Sequence, residues 1–375
     1  MKIAINCSFC QPKGGGITEY IVNLINHLEI VDQENEYILY VLKDMYEYCL
    51  TKLPNRFRIK QIPYENNLKS IISRSLFSQS FWYKEEEIEM FEIFHSPFFY
   101  APKFRKAKIL LTVHDLRLYR FPSTYGFLRY IYLQYAVKES IKRANRIISI
   151  SQFTKDEIVK LCKVNPDKIN VILEAINRDR FCDKQLIDFQ LEHSYEELLH
   201  CRFILSVGHI EPRKNYKRLI DAFNILKQDI RNKDIKLVIV GKPNNSASPI
   251  IKKMKETKDV IYLNFVSFQL LLWLYKHASL FVFPSIYEGF GFPPMEAGSL
   301  GTLSAVSNVS SMPEVCGNCS IYFDPYNIQD MANKMSEGLY NIDYIEKVKT
   351  NIESNLARFS WQKNAEQTLE IYRSI

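Results

Sequence analysis

Short continuous apolar runs, separated by loops and by stretches of helical period, set the plan of this chain. In the first half the runs are "IAINC", "YILYVL", "FRIKQI", "FEIFHS", "KILLTV", "RIISIS" and "KINVIL". Between the first two, Ile17, Ile21, Leu24, Ile25 and Leu28 recur with the 3.6-residue period of a helix. The second half carries "FILSVG" (203–208), "IKLVIVG" (235–241), "VIYL" (260–263), "LFVFPS" (280–285), "LSAV" (303–306) and "SIYFD" (320–324). Helical faces sit between them, at Leu219, Ile220, Phe223 and Leu226 and around "LLLWLYKHA", with a last helix from about Ile328. Brief apolar strands alternating with helices predict parallel sheets covered on both faces. A length of 375 residues suits two such domains. The fold class is α/β, with two doubly wound Rossmann-like domains, 1–177 and 201–357. The charged stretch 178–200 lacks either period and reads as the connection between them.

Ligands of doubly wound sheets bind beyond the carboxyl ends of the strands, and two such domains facing each other would form a cleft there. Candidate chemistry is therefore sought where strands end. "YEGFGFPPMEAG" leaves the run "LFVFPS" with Glu288 and Glu296 on either side of Gly289, Phe290, Gly291 and two prolines. Pro293 and Pro294 suit a first helical turn, where a missing N–H costs nothing, so Glu296 is placed in that turn and Glu288 in the loop before it. Glycine loops let amides face a phosphate, and carboxylates accept from sugar hydroxyls; together they describe a nucleotide-sugar site. In "SVGHIEPRKNYKRL", Arg213 and Lys214 stand at a helix start, where they would repel each other unless an anion lay between them; a diphosphate fits. "PKGGGITEY" opens the first helix with Gly14, Gly15 and Gly16, a turn suited to an anion but not the G-x-G-x-x-G of a dinucleotide site. "LLTVHD" ends its strand with His114 and Asp115, and "FHSP" places His95 similarly; the adjoining acid favours His114.

Composition adds three points. No apolar run approaches the roughly 18 residues of a membrane-spanning helix, and "MKIAINC" reads as a first strand, so the expected location is cytoplasmic. Eight cysteines are scattered, and the C-x-x-C pairs Cys7/Cys10 and Cys316/Cys319 lie at opposite ends without histidines at ligand spacing, so buried thiols are expected and no metal. The net charge of +7 is uneven: from Lys103 to Arg146, eleven Lys or Arg stand against Asp115 and Glu139. Phe104, Tyr119, Phe121, Tyr125, Phe127, Tyr130, Tyr132 and Tyr135 are interleaved with them. This pattern suits an anionic membrane at its inner face, with a solvated helix face as the other reading; no nucleic-acid partner is expected.

Taken together, the glycine loop at 14–16, "TVHDLRLYRFP", "RIISISQFTKDEI", "VGHIEPRKN", "YEGFGFPPMEAG" and "FSWQKNAEQTLEIY" resemble the retaining, GT-B-fold glycosyltransferases of family 4 over nearly the whole chain. The resemblance makes Glu288 and Glu296 the E-x7-E pair, with Glu288 on donor-sugar hydroxyls and Glu296 on the nucleotide ribose. It assigns the diphosphate to Arg213 and Lys214 with help from Gly15 and Gly16, amides near Phe290 and Gly291 to the sugar or phosphate, and His114 to the sugar near the reacting carbon. It also implies a C-terminal helix, 358–375, that crosses back to the first domain. His209 stands where some members carry arginine, which leaves more of the phosphate charge to Arg213 and Lys214. No two aspartates are spaced as D-x-D, and the resemblance implies metal-independent transfer without a cofactor. Anomeric configuration would be retained, with a hexose moving from a nucleotide-sugar donor to a glycan or lipid-linked acceptor. GDP-mannose and a bacterial surface polysaccharide are the expected donor and product class. A UDP-sugar donor, with base choice set by Lys242–Ser248 and Asn264–Phe268, and a catalytically silent nucleotide-sugar-binding regulator stay open as alternatives.

Overall fold

In the computed structural model, thirteen strands among the described residues fall into two wholly parallel sheets. Backbone is described for residues 1–12, 15–65, 68–124, 126–187 and 189–375, and side chains for these except 68–78, 123, 128, 129, 193 and 194. Lys13 and Gly14 of the glycine loop and Tyr125 of the basic, aromatic segment lie outside the described residues. The first sheet holds β1 (Lys2–Asn6), β2 (Glu36–Leu42), β3 (Arg58–Ile62), β4 (Ile93–Ser96), β5 (Lys108–Val113), β6 (Arg146–Ser149) and β7 (Ile169–Val171), in the order β3-β2-β1-β4-β5-β6-β7. The second holds β8 (Phe203–Val207), β9 (Lys236–Val240), β10 (Val260–Leu263), β11 (Leu280–Phe283), β12 (Ser304–Ser307) and β13 (Ser320–Phe323), in the order β10-β9-β8-β11-β12-β13.

Both orders start in the middle of the sheet and reverse once. That reversal, between β1 and β4 and again between β8 and β11, is where successive crossovers leave in opposite directions and a crevice opens beyond the strand ends. It has a direct consequence for the site: β8 and β11 are paired, with Leu280 opposite Ile204 and Phe281 opposite Leu205. The loops that follow these strands, "HIEPRKN" and "SIYEGFG", therefore emerge side by side although 69 residues separate them.

The apolar runs become strands because both faces are covered: Ile3, Ala4 and Ile5 of β1 and all of β11 are buried. Helix Gly15–Val31 turns Ile21, Leu24, Ile25 and Leu28 inward, and helix Tyr216–Leu226 does the same with Leu219, Ile220, Phe223 and Leu226. Each fully buried aliphatic or aromatic side chain of this kind contributes about 1.5–3 kcal/mol relative to exposure.

The chain divides into two compact units, 1–175 with 360–375, and 176–359. Helix Trp361–Ser374 belongs to the first; Ser360 caps it by accepting from the Lys363 amide, and Asn364 Nδ2 donates to the Leu173 carbonyl at 2.8 Å. The stretch 178–200, read from sequence as a connection, is instead folded into the second unit. It forms short 3-10 turns at Asp183–Leu186 and His193–Leu199, buries Leu198, and packs Phe181, Leu186 and Leu191 on the core beneath β8. Single turns that bury isolated side chains leave neither a two-residue nor a 3.6-residue period, so the pattern was silent there. Cys7 and Cys10 are buried free thiols in the first unit, Cys316 and Cys319 in the second.

Candidate active site

Beyond β8 the chain must pass close to the end of β9. A Cβ on Gly241 would sit 1.9 Å from the Gly208 carbonyl oxygen, so only glycine permits the approach. Ile210 then donates to the Lys242 carbonyl at 2.8 Å, which fixes the direction in which Glu211 leaves. Pro212–Lys214 make one 3-10 turn, Asn215 takes a left-handed conformation at φ 59°, and helix Tyr216–Leu226 begins. Arg213 and Lys214 are thereby held at the strand end. Both are largely buried, with side chains 12% and 8% exposed.

Two buried cations side by side require a counter-charge. The sequence suggested that a diphosphate would provide it; in the structure the chain provides its own. Glu288 Oε1 lies 2.7 Å from Arg213 Nη1 and 2.6 Å from Lys214 Nζ, and accepts from Ser285 Oγ at 2.5 Å. Arg213 Nη1 also donates to the Tyr287 carbonyl at 2.9 Å, and Arg213 Nε pairs with Glu211 Oε1 at 2.6 Å. Lys214 Nζ lies 4.6 Å from the centroid of the Phe283 ring. The cluster thus holds two cations and two carboxylates. Burial works against the Glu288 carboxylate, but Arg213 and Lys214 outweigh it and hold its pKa down at about 2. Burial dominates at Lys214 and lowers its pKa, with Glu288 partly restoring the charged form.

The loop around Glu288 is not the open glycine turn expected from sequence. Tyr287 through Gly291 are buried, Phe290 with its ring against Phe292 and Phe359. Ser311 Oγ lies at hydrogen-bond distance from the carbonyls of Glu288, 3.0 Å, and Phe290, 2.7 Å, and the Glu288 amide donates to Ser310 Oγ at 3.3 Å. Gly291 caps helix Phe292–Ser299 at φ 107°, a conformation that favours glycine. Glu296 is the fifth residue of that helix, one turn further in than the prolines suggested. It accepts from Tyr275 Oη at 2.6 Å, a hydroxyl delivered by helix Phe268–His277.

The first unit carries the other predicted residues. Gly15, at φ 68°, and Gly16 are exposed at the start of helix Gly15–Val31. Asp115 closes a turn by accepting from the Arg117 amide at 3.0 Å. His114, 13% exposed, follows β5, and both its ring nitrogens meet acceptors: Nδ1 the Glu174 carboxylate at 2.8 Å, Nε2 the Pro97 carbonyl at 3.1 Å. A carbonyl and a carboxylate at its two nitrogens favour the protonated ring. Burial alone would lower its pKa, but Glu174 prevails and the net shift is upward. His95 is the opposite case. Fully buried between Tyr372 Oη at 2.6 Å and Thr112 Oγ1 at 2.9 Å, it is held neutral by burial first and by His114 second, at about 3. His209 is exposed.

Sequence reasoning passed over Glu211, Ser285, Ser311, Tyr275 and Glu174. Two carried a usable signal: Glu211 adjoins "PRK", and Glu174 follows β7 at a strand end, the rule that singled out His114. The serines and Tyr275 act through long-range contacts that no local pattern records.

The sequence of the first unit matches the family described as "Glycosyltransferase Family 4" over residues 14–180, and that of the second matches "Glycosyl transferases group 1" over 195–355. The chain belongs to the family 4 glycosyltransferases. This hexosyltransferase is 28% identical to the "O-antigen chain mannosyltransferase B" of Escherichia coli over 75% of its own length and 74% of that protein. It is 26% identical to the "O-antigen chain mannosyltransferase RfbU" of Salmonella typhimurium over 95% of both. Among solved structures it shares its GT-B fold with HepE of Anabaena, crystallised with UDP-glucose, at a TM-score of 0.74 and 13% identity over the full length of both chains.

The upward shift at His114 has a measurable consequence. Its pKa is raised above the unfolded value near 6.5, so its stabilising contribution is complete below that value and fades as pH rises through the folded pKa. A nitrogen-15 titration of the glycosyltransferase is expected to place the His114 midpoint above the ordinary histidine value and that of His95 far below it; a His114 midpoint below the ordinary value would contradict the assignment.

Proposed function

We propose that this glycosyltransferase moves mannose from GDP-mannose to a glycan or lipid-linked acceptor in the assembly of a bacterial surface polysaccharide. The supporting observation is the buried Arg213–Lys214–Glu288 cluster at the point where the second sheet reverses, in a chain similar to two O-antigen mannosyltransferases. When the bond between the anomeric carbon and the diphosphate breaks, negative charge grows on the leaving group and positive character on the sugar. Fixed cations stabilise that charge without having to reorganise, commonly the largest single contribution in such sites. On this reading the diphosphate takes Arg213 and Lys214 from Glu288, and Glu288 turns to the sugar hydroxyls. Glu296, aligned by Tyr275, accepts from the ribose, and His114 acts on the donor sugar. Gly15 and Gly16 offer amides to the diphosphate. Because Arg213 and Lys214 neutralise the leaving group, transfer proceeds without a metal or cofactor. Configuration is retained through attack by the acceptor on the face the phosphate leaves, with the phosphate taking the acceptor proton.

A UDP-sugar donor is the second reading, and the likeness to HepE, crystallised with UDP-glucose, favours it. Release of nucleoside diphosphate decides between them. With GDP-mannose, UDP-glucose and other UDP-sugars offered separately, GDP release from GDP-mannose is expected to be fastest and unchanged by EDTA. Faster UDP release overturns the donor assignment, restoration by magnesium of a reaction lost to EDTA overturns metal independence, and tight binding without turnover supports a silent regulator.

The same reading extends to the place of work, an anionic membrane surface at the cytoplasmic side. Helix Phe127–Arg143 buries Ala136, Val137, Ser140 and Ile141. Its other side exposes apolar residues that support this reading over a solvated polar face: Phe127, Ile131 and Tyr135, at successive turns, are 75%, 50% and 69% exposed, with Tyr132 at 42%. Lys142 and Arg143 sit in its last turn, and Arg117 and Arg120 are exposed just upstream. Aromatic rings with cations at their flanks suit the headgroup layer of anionic lipid. The protein is expected to float with phosphatidylglycerol-rich vesicles and not with phosphatidylcholine vesicles, and to lose flotation when Phe127, Ile131 and Tyr135 are all changed to Ser. Absence from both vesicle types, or an unchanged triple variant, would contradict the assignment.

A further inference from the structure

We infer that Glu211 is a positioning residue of the transfer reaction: it fixes the Arg213 guanidinium and ties it, through Asn244, to the loop that follows β9. The inference rests on the donor site proposed above and adds a residue and a connection to it.

Glu211 is 6% exposed, so its carboxylate is stable there only if both oxygens are used. Oε1 lies 2.6 Å from Arg213 Nε as an ion pair outside hydrogen-bond geometry, and Oε2 accepts from Asn244 Nδ2 at 3.2 Å. Asn244 is in turn built into its loop. Its side-chain oxygen accepts from the amide and hydroxyl of Ser246, both at 2.9 Å, and its own amide donates to the Ile210 carbonyl at 3.3 Å. One carboxylate therefore joins the strand-end turn carrying both cations to the segment 242–248.

Geometry explains why such a brace matters. A guanidinium is a planar fork whose value to a phosphate depends on orientation, unlike the freely rotating ammonium of lysine. Arg213 is drawn at Nε by the charge of Glu211 and held at Nη1 by the Tyr287 carbonyl and Glu288. If Glu288 yields to the diphosphate, Glu211 and the Tyr287 carbonyl are the holds that keep the plane aimed. Glu211 also sets the field. With it the cluster balances two cations with two carboxylates; as Gln it would carry an excess positive charge and retain a diphosphate product more firmly.

The test measures kcat and KM for GDP-mannose, GDP affinity by calorimetry, and melting temperature, in wild type, Glu211→Gln and Asn244→Ala. Glu211→Gln is expected to lower kcat on the order of tenfold, as small misplacements of positioning groups do, with KM no higher and GDP bound severalfold tighter. Asn244→Ala, which keeps the carboxylate and removes its anchor, is expected to lower kcat about threefold, a smaller version of the same misplacement. A merely structural Glu211 would lower the melting temperature and leave kcat per folded molecule and GDP affinity alone. Both variants keeping kcat within twofold overturns the inference, and if Glu211→Gln fails to melt cooperatively, wild-type kcat and GDP affinity in Asn244→Ala overturn it. A wild type that binds and turns over donor beside unchanged variants condemns this inference alone. A wild type that binds neither GDP nor UDP condemns the donor site beneath it as well.

Discussion

Buried charge must be balanced where it lies, and in this protein two carboxylates balance two cations, one of them, Glu288, touching both. Glu288 shares a single oxygen between Arg213 and Lys214, within 2.7 Å of both. Taking one partner from a buried pair typically costs about 3–5 kcal/mol, because the survivor keeps its charge and loses its compensation. Arg213, Lys214 and Glu288 are thus bound to one another energetically before any substrate is considered. On the proposed reading, an incoming diphosphate would supply the same sign of charge at the same cations, so exchange with Glu288 would keep the balance and free a carboxylate for hydroxyl groups. The cluster is a stability requirement of the fold and, on the proposed reading, a preformed leaving-group site.

The fold produces this juxtaposition for a topological reason. A parallel sheet whose order reverses once brings its first and fourth strands together, and the loops beyond them meet. In the second unit those loops supply Glu211, Arg213 and Lys214 from one side and Ser285, Tyr287 and Glu288 from the other. The same order in the first unit puts β1 beside β4, with His114 following the interior strand β5 and Glu174 following the edge strand β7. Partners then sort the two buried histidines: a carboxylate raises the pKa of His114, and burial between two hydroxyls lowers that of His95.

Much of this was legible in the residues. Apolar runs marked the strands, because strands covered on both faces have no polar side to alternate with. The rule that ligands gather at strand ends then selected Arg213, Lys214, Glu288, Glu296 and His114. What the residues did not disclose was partnership. Glu288 was read as an acid waiting for hydroxyls and the two cations as waiting for phosphate, when they hold each other across 74 and 75 positions of chain. Glu296 with Tyr275 and His114 with Glu174 are further pairs set by three-dimensional neighbourhood rather than local spacing. The stretch 178–200 was misread for a different reason, since its short turns bury single side chains without a period.

The exchange of counter-ions at Arg213 and Lys214 can be seen directly in a crystal of the protein soaked with GDP. Phosphate oxygens should lie within hydrogen-bonding distance of the Arg213 guanidinium and Lys214 Nζ, with the Glu288 carboxylate withdrawn from both. A nucleotide bound elsewhere, with the three side chains still in mutual contact, would contradict the account.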